Sequence, residues 1–298
     1  MSANKKNLVL GAVRGYNFEQ LRPFVVSLQR TAFKGDLVLL WNSLSPETLA
    51  ALEAEGVKLV HFSYRGSGAL NSWSRFWPQL RPLLLCPVGD AARQAVYKKI
   101  LNLAFVRYVH ALEFLQAHRG EYENVLLTDV RDVIFQDDPF RDPLPADITA
   151  FLEAPHMKFG AEPMNDEWIA VNYGAEMTEK LKGTRISCCG TVMGTQAGMV
   201  DYLEVFLGEV IKLHSLEHGA DTSIHNVIAR EHFRDRVAII ENLVGAVGTV
   251  GANAMGDLKL NQEGLIVQPG GWSVPVLHQY DRHAEFAARL IARLPEIK

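Results

Sequence analysis

Asp129 and Asp132 stand where an apolar run ends. The run is Val125–Leu127, and a second one, Val133–Phe135, begins directly after the pair. In open α/β sheets, ligands bind beyond the carboxyl ends of the strands. Two carboxylates held that close repel each other unless positive charge lies between them. A hard divalent cation with oxygen ligands meets that need and also bridges substrate phosphates. Arg131, between the two acids, could reach a phosphate or a sugar hydroxyl, or pair with a carboxylate. Far downstream, His278 follows the apolar stretch Val274–Leu277 and could add an imidazole to the same ion. The plainer alternatives are acids that cap a turn and a histidine hydrogen-bonded at a strand end. The apolar runs on both sides of the acids favour a fixed place at a sheet edge.

Other clusters promise less. His214 and His218 match a His-x-x-Glu-His pattern that would put two zinc ligands on one helix face, which makes a zinc hydrolase the rival reading. Gly219 interrupts that helix at once, and no downstream glutamate helix completes the ligand set. The acids resemble the haloacid-dehalogenase phosphatases only in part, because Arg131 fills a position that needs a proton donor. Gly245, Gly248, Gly251 and Gly256 do not make Gly-x-Gly-x-x-Gly, so a dinucleotide fingerprint is not supported and a mobile loop is expected there. Cys188 and Cys189 lack zinc spacing and read as residues lining a strand. Trp73, Trp77, Trp168 and Trp272 fall in loop-like segments, where an indole could stack on a sugar. Trp272 follows Gly270 and Gly271, which allow close approach to a ligand.

The elements that must position these residues are legible in part. Leu8–Val13, Leu37–Trp41 and Val57–Phe62 read as buried strands, separated by helical patterns over Phe18–Thr31 and from Pro46 to Gly56. Ser45 is the expected N-cap of the second helix, with Pro46 at its first position. Strand–helix–strand–helix–strand at this spacing predicts a parallel sheet covered by helices. Residues 63–89 read as a loop or short helical pieces. Asp90 is expected to cap one long helix to about His118, with the stripe Leu101, Phe105, Tyr108, Leu112 and Leu115 buried. Later elements are strands at Ile148–Leu152, Gly190–Gly194 and Val237–Ile240, and helices over Gln196–Leu213 and Ala284–Leu294.

Composition sets the outer bounds. The 298 residues are 48% hydrophobic and 21% charged, an ordinary globular balance. Thirty basic against 34 acidic side chains leave a net charge of −4, which argues against a nucleic-acid partner. No apolar stretch approaches the roughly 20 residues of a membrane helix. The N-terminal apolar run is too short for a signal peptide, and three cysteines make no disulfide framework. A cytoplasmic protein is expected, with peripheral attachment to a membrane left open.

The acidic segment, running to Asp138-Pro139, resembles the nucleotide-sugar site of GT-A type glycosyltransferases, whose signature is an Asp-x-Asp-like motif after an apolar strand. Counting back from Asp138-Pro139, Asp132 takes the place of the second, metal-binding aspartate; Val130 takes that of the first, with Asp129 one residue earlier. Ala12-Val13-Arg14-Gly15 resembles the part of the first strand that holds base and ribose. Cys189 to Gly194 is similar to the strand lining the sugar pocket, Ala220 to Asn226 to a helix start of the form Asp-Gln-x-x-x-Asn, and Val276 to Arg282 to the late strand whose histidine completes the metal site.

The resemblance implies a single α/β domain over residues 1–298 with a GT-A, Rossmann-like, mostly parallel central sheet flanked by helices. Residues up to about 140 would grip the donor, and about 141–298 would frame the acceptor and supply the metal-site strand. It also implies transfer of a sugar from a nucleoside diphosphate to an acceptor hydroxyl on a glycan, lipid-linked or protein acceptor. Asp129, Asp132 and His278 would hold Mn²⁺ or Mg²⁺. Ala12, Val13, Arg14, Gly15, Asp129, Arg131, Gly190 and Trp272 would meet the donor, and Asp221 would be the catalytic or sugar-contacting carboxylate. A module that binds nucleotide sugars without turning them over is a third reading.

Overall fold

The computed structural model describes residues 5–64, 76–84, 89–216 and 219–295. The apolar runs form the strands expected of them. β1 (Lys6–Arg14) lies between β2 (Asp36–Asn42) and β4 (Tyr122–Thr128), parallel to both, and β3 (Lys58–His61) extends the sheet beyond β2. On the other side of β4 come β7 (Ser187–Thr195), β6 (Ile148–Leu152) and β8 (Val237–Ile240). β7 runs antiparallel to both its neighbours, so the seven-stranded sheet is mostly parallel.

Alternation along the strands sends side chains into two layers. Leu8 and Leu10 join one core with α5 (Leu103–Ala117) and α7 (Gln196–Val210). Val9 and Val13 join another with α1 (Phe18–Gln29). α1 opens with a capping box in which Asn17 and Gln20 satisfy each other's backbone N–H groups. α2 (Pro46–Ala54) begins as expected, with Ser45 accepting from the Thr48 N–H at 3.2 Å.

The helix expected over residues 90–118 is broken in two. α4 (Asp90–Ile100) has Gly89, not Asp90, in its cap position, and it stops at Leu101, whose backbone is extended. Asn102 then caps α5 through Phe105 N–H while its amide donates to the Leu216 carbonyl. The expected stripe begins only at Leu101, and Asn102 beside it is a residue of N-cap type. Before α4 lies a short piece, α3 (Trp77–Leu84), where Trp77 is buried and donates to the Leu213 carbonyl at 2.8 Å.

Two further expectations change. α6 (Pro163–Leu181) kinks at Gly174, where φ is 80°, and its row Ile169, Tyr173, Met177 and Leu181 packs in one cluster. Trp168 therefore lies on a helix rather than a loop; it packs over Gly219, where a Cβ would strike its ring. The glycine-rich stretch expected to be a mobile loop contains a buried strand, β9 (Val247–Thr249). It forms a small sheet with β10 (Val276–His278) and β5 (Val133–Phe135), in the order β5–β10–β9. Phe135 ties this sheet to α1 by stacking edge-on against Phe24 and by donating its N–H to Ser27 Oγ at 2.9 Å. α8 (Ala220–Glu231) and α9 (Ala284–Ile291) complete the single domain. Among the described residues, no helix is long and apolar enough to cross a membrane.

Candidate active site

The strand alternation continues past the end of β4 and sorts the acidic segment. Leu126 belongs to the α1 side of the sheet, and Val130 returns to that side, buried. Gly11 makes this possible, because a Cβ there would strike the Val130 side chain. Asp129 faces the other way, toward α5. Position 130 is thus a core position, and the two carboxylates come from 129 and 132.

Asp132 and His278 are joined by strand pairing. β10 runs antiparallel to β5 with His278 opposite Val133, and the Gln279 N–H donates to the Asp132 carbonyl at 2.7 Å. From the other side, β7 lends Gly190, whose carbonyl accepts the Asp129 N–H at 2.7 Å. A Cβ on Gly190 would lie 2.6 Å from Cε1 of His278 and 2.8 Å from Oδ2 of Asp129, so only glycine lets the three side chains close.

The resulting cluster is Asp129, Asp132 and His278, with one ligand atom from each lying within 4.8 Å of the others. His278 is 1% exposed, and its Nε2 has no hydrogen-bond partner among the described residues. It stands 3.7 Å from an oxygen of each aspartate, too far for a hydrogen bond. A buried nitrogen left unsatisfied before two carboxylates is costly unless something lies between them. Two carboxylate oxygens and one imidazole suit a hard or borderline divalent cation that keeps further positions open. These residues could hold such an ion.

Electrostatics tie the cluster together. Burial opposes the charge on Asp129, but the Arg107 guanidinium and His278 outweigh it and hold the carboxyl well below the usual range. Burial pushes Asp132 up; His278 offsets only part of this, and the charges of Asp129 and Asp281 add to the rise. Burial also opposes protonation of His278, yet Asp129, Asp132 and Glu153 together raise its pKa. A bound cation would take over the part played by that proton.

Arg107, on α5, escaped the reading of the sequence. It pairs with Asp129, donates to Tyr108 Oη at 2.9 Å, and reaches Asp221 Oδ2 at 3.3 Å. It therefore links the Asp-Asp-His cluster to the carboxylate expected to act on the sugar or acceptor. Its helical surroundings carry no motif, so only the contact itself exposes it. Asp221 lies in the first turn of α8, largely buried. Asn226, one turn on, clamps α8 to β7 by accepting from the Ser187 N–H at 3.0 Å and donating to the Ser187 carbonyl at 2.8 Å.

The remaining expected residues are distributed around this centre. Ala12 lines a small cleft with Leu40, Arg107, Tyr108, Asp129 and Gly190. Val13 sends its side chain into the α1-side core. The Arg14 guanidinium lies 5.2 Å above the Tyr64 ring, and Gly15 turns the chain with φ of 68°. Arg131 pairs with Asp281 at 3.1 Å. Trp272 is 71% exposed, on a turn closed by the Gln268 N–H and the Trp272 carbonyl. Burial raises both Cys188 and Cys189 well above the ordinary thiol range, so neither is a thiolate nucleophile.

His214 is not on a helix: α7 ends at Val210, and His214 is exposed beside the Arg81 guanidinium at 3.1 Å. A neighbouring cation disfavours a metal there. His218 and Trp73 lie outside the described residues. Among the described residues, the Asp-Asp-His cluster is the only group that meets the geometry of a three-ligand site.

No family model matches the chain, and no curated protein matches it in sequence. Solved structures do. The apo form of the glycosyltransferase GlyE from Streptococcus pneumoniae TIGR4 is similar with a TM-score of 0.51 at 16% identity, over 93% of this chain and 55% of that one. The chain shares its fold with GlyE. It spans about half the length of GlyE. Core-mannan synthase A (CmsA/Ktr4) from Aspergillus fumigatus, in its Mn/GDP form, is similar at a TM-score of 0.44 and 12% identity, over 80% of this chain and 73% of that one. In this fold, the Asp-Asp-His cluster lies just past the carboxyl end of β4, where ligands gather in open α/β sheets.

Proposed function

We propose that this protein is a metal-dependent glycosyltransferase that moves a sugar from a nucleoside diphosphate to an acceptor hydroxyl. The observation that carries the reading is the unsatisfied Nε2 of His278, buried before Asp129 and Asp132 at a strand end. The fold shared with the glycosyltransferase GlyE supports it. In the reaction, the bond from the sugar's anomeric carbon to the diphosphate breaks and a bond to the acceptor oxygen forms, with the acceptor's proton passing to a base.

Asp129, Asp132 and His278 would hold Mn²⁺ or Mg²⁺. The ion, when bound, supplies positive charge to the diphosphate oxygens as they leave. Ala12 to Gly15 would meet the nucleoside, Gly190 would keep the sugar side of the cleft open, and Arg131 and Trp272 would contact the donor. Arg107 would hold Asp129 and Asp221 in fixed relation. Asp221 would take the acceptor's proton in an inverting reaction or contact the donor sugar in a retaining one. The first half of the chain would thus grip the donor and the second half frame a glycan, lipid-linked or protein acceptor.

The test is a thermal-shift screen of nucleoside diphosphates with and without Mn²⁺. One nucleotide should stabilise the protein, more so with the metal, by mass action on the folded state. That gain should vanish in Asp132→Ala. No stabilisation by any nucleotide would sink the reading.

A further inference from the structure

We propose that Thr249 and Cys188 are positioning residues that fix which edge of the His278 ring faces Asp129 and Asp132. This inference rests on the metal-site reading above. The two nitrogens of His278 have different surroundings. Nε2 meets only the two carboxylates at 3.7 Å. Nδ1 has Thr249 Oγ1 at 3.4 Å and Cys188 Sγ at 3.5 Å. A ring turned over about its Cβ–Cγ bond would present carbon to the carboxylates, and a metal ligand needs its other nitrogen held.

Both partners are themselves held. Thr249 is fully buried and lies opposite His278 in the β9–β10 pairing. β9 is the edge of its three-stranded sheet, so its outer backbone groups have no neighbouring strand. The Asn242 side chain stands in for one. It accepts from the Thr249 N–H at 2.9 Å and donates to the Thr249 carbonyl at 2.9 Å. Asn242 is steadied in turn by donating to Asn253 Oδ1 at 3.1 Å.

Cys188 is buried within β7, and the strand fixes where its thiol lies. At 3.5 Å its sulfur can accept an N–H on Nδ1. β7 thus shapes both edges of the ring from alternate residues. Cys188 meets Nδ1, and Gly190 leaves the space that Cε1 and Nε2 occupy.

The test is titration calorimetry of Mn²⁺ alone into the full-length protein. The double variant Thr249→Val with Cys188→Ala keeps the packing volume close to native but removes both polar atoms. Its Mn²⁺ affinity should fall about 10- to 100-fold, the usual cost of losing the outer partners of a metal ligand. Thr249→Ser with Cys188→Ser restores polar atoms and should recover affinity to within about threefold, which space-filling alone would not do. If the Val/Ala variant fails to fold, the single variants Thr249→Val and Thr249→Ser carry the same comparison. Wild-type affinity in the Val variants, or no recovery in the Ser variants, would overturn the inference. His278→Ala separates this from failure of the site itself. If it binds Mn²⁺ as tightly as wild type, the metal-site reading falls and the inference with it.

Discussion

Two histidines lie buried on opposite faces of β7, and they behave in opposite ways. Ser187 and Cys188 are neighbours in that strand. Ser187 meets His225 on the α8 face, and Cys188 meets His278 on the β10 face. Both rings are at most 1% exposed. His225 is fully satisfied: Nε2 donates to Ser187 Oγ at 2.9 Å, which in turn donates to the Phe151 carbonyl, and Nδ1 accepts from Tyr202 Oη at 2.7 Å. Burial and the Arg230 charge push its pKa down to about 3. His278 keeps one nitrogen unsatisfied among carboxylates, and its pKa rises. Burial by itself therefore does not separate the two histidines. The open nitrogen facing acids does.

The largest test of that contrast is removal of the ligands. Asp132→Ala should abolish measurable Mn²⁺ binding in calorimetry, and His278→Ala should weaken it by about a hundredfold or more. His225→Ala should leave the affinity within a few-fold of wild type. A metal effect of equal size from both histidines would erase the distinction.

Stability should show the reverse pattern. His225→Ala leaves the Tyr202 hydroxyl without its partner and opens a cavity, at a cost of about 3 kcal/mol in urea denaturation. A loss below about 1 kcal/mol would mean that the network is slack.

The pH dependence of wild-type stability follows from the same ring. Its folded pKa of about 3 lies below the ordinary 6.5, so the unfolded chain takes up the proton first. The contribution is complete above pH 6.5 and is lost as the pH falls from there toward 3, by up to about 1.4 kcal/mol per pH unit. His225→Phe should flatten that slope. An unchanged slope would assign the acid sensitivity to other groups.

The smallest effect expected is at Gly190. Gly190→Ala would press a Cβ against His278 and Asp129, and Mn²⁺ affinity should fall about tenfold, or roughly 1.4 kcal/mol, with the stability of the His225 side unchanged. Unaltered affinity would mean that the ligands can move aside.

Much of this was legible along the chain. The continuous apolar runs of β1, β2 and β4 announce strands buried on both faces, and Ser45-Pro46 announces a helix start, because those signals are local. α6 is hard to read because Gly174 breaks it, although Ile169, Tyr173, Met177 and Leu181 recur at four-residue spacing. The break at Leu101–Asn102 has a local signal in the cap residue Asn102, but its partner, the Leu216 carbonyl, is set by packing. Asp132 and His278 stand out in the sequence by their order and their flanking apolar runs, whereas the side of the sheet that Asp129 faces follows only from Val130 packed over Gly11.

The sequence by itself determined that two aspartates stand at a strand end and that a histidine ends a late apolar stretch. Period-two alternation and turn chemistry are properties of a few neighbouring residues, and they can be read there. Only the tertiary structure decided that His278 pairs opposite Val133, that Gly190 leaves room for it, that Arg107 joins Asp129 to Asp221, and that His225 is closed while His278 is open. Those facts depend on register between distant strands and on packing across β7. Long-range burial sets them, and no local spacing encodes them.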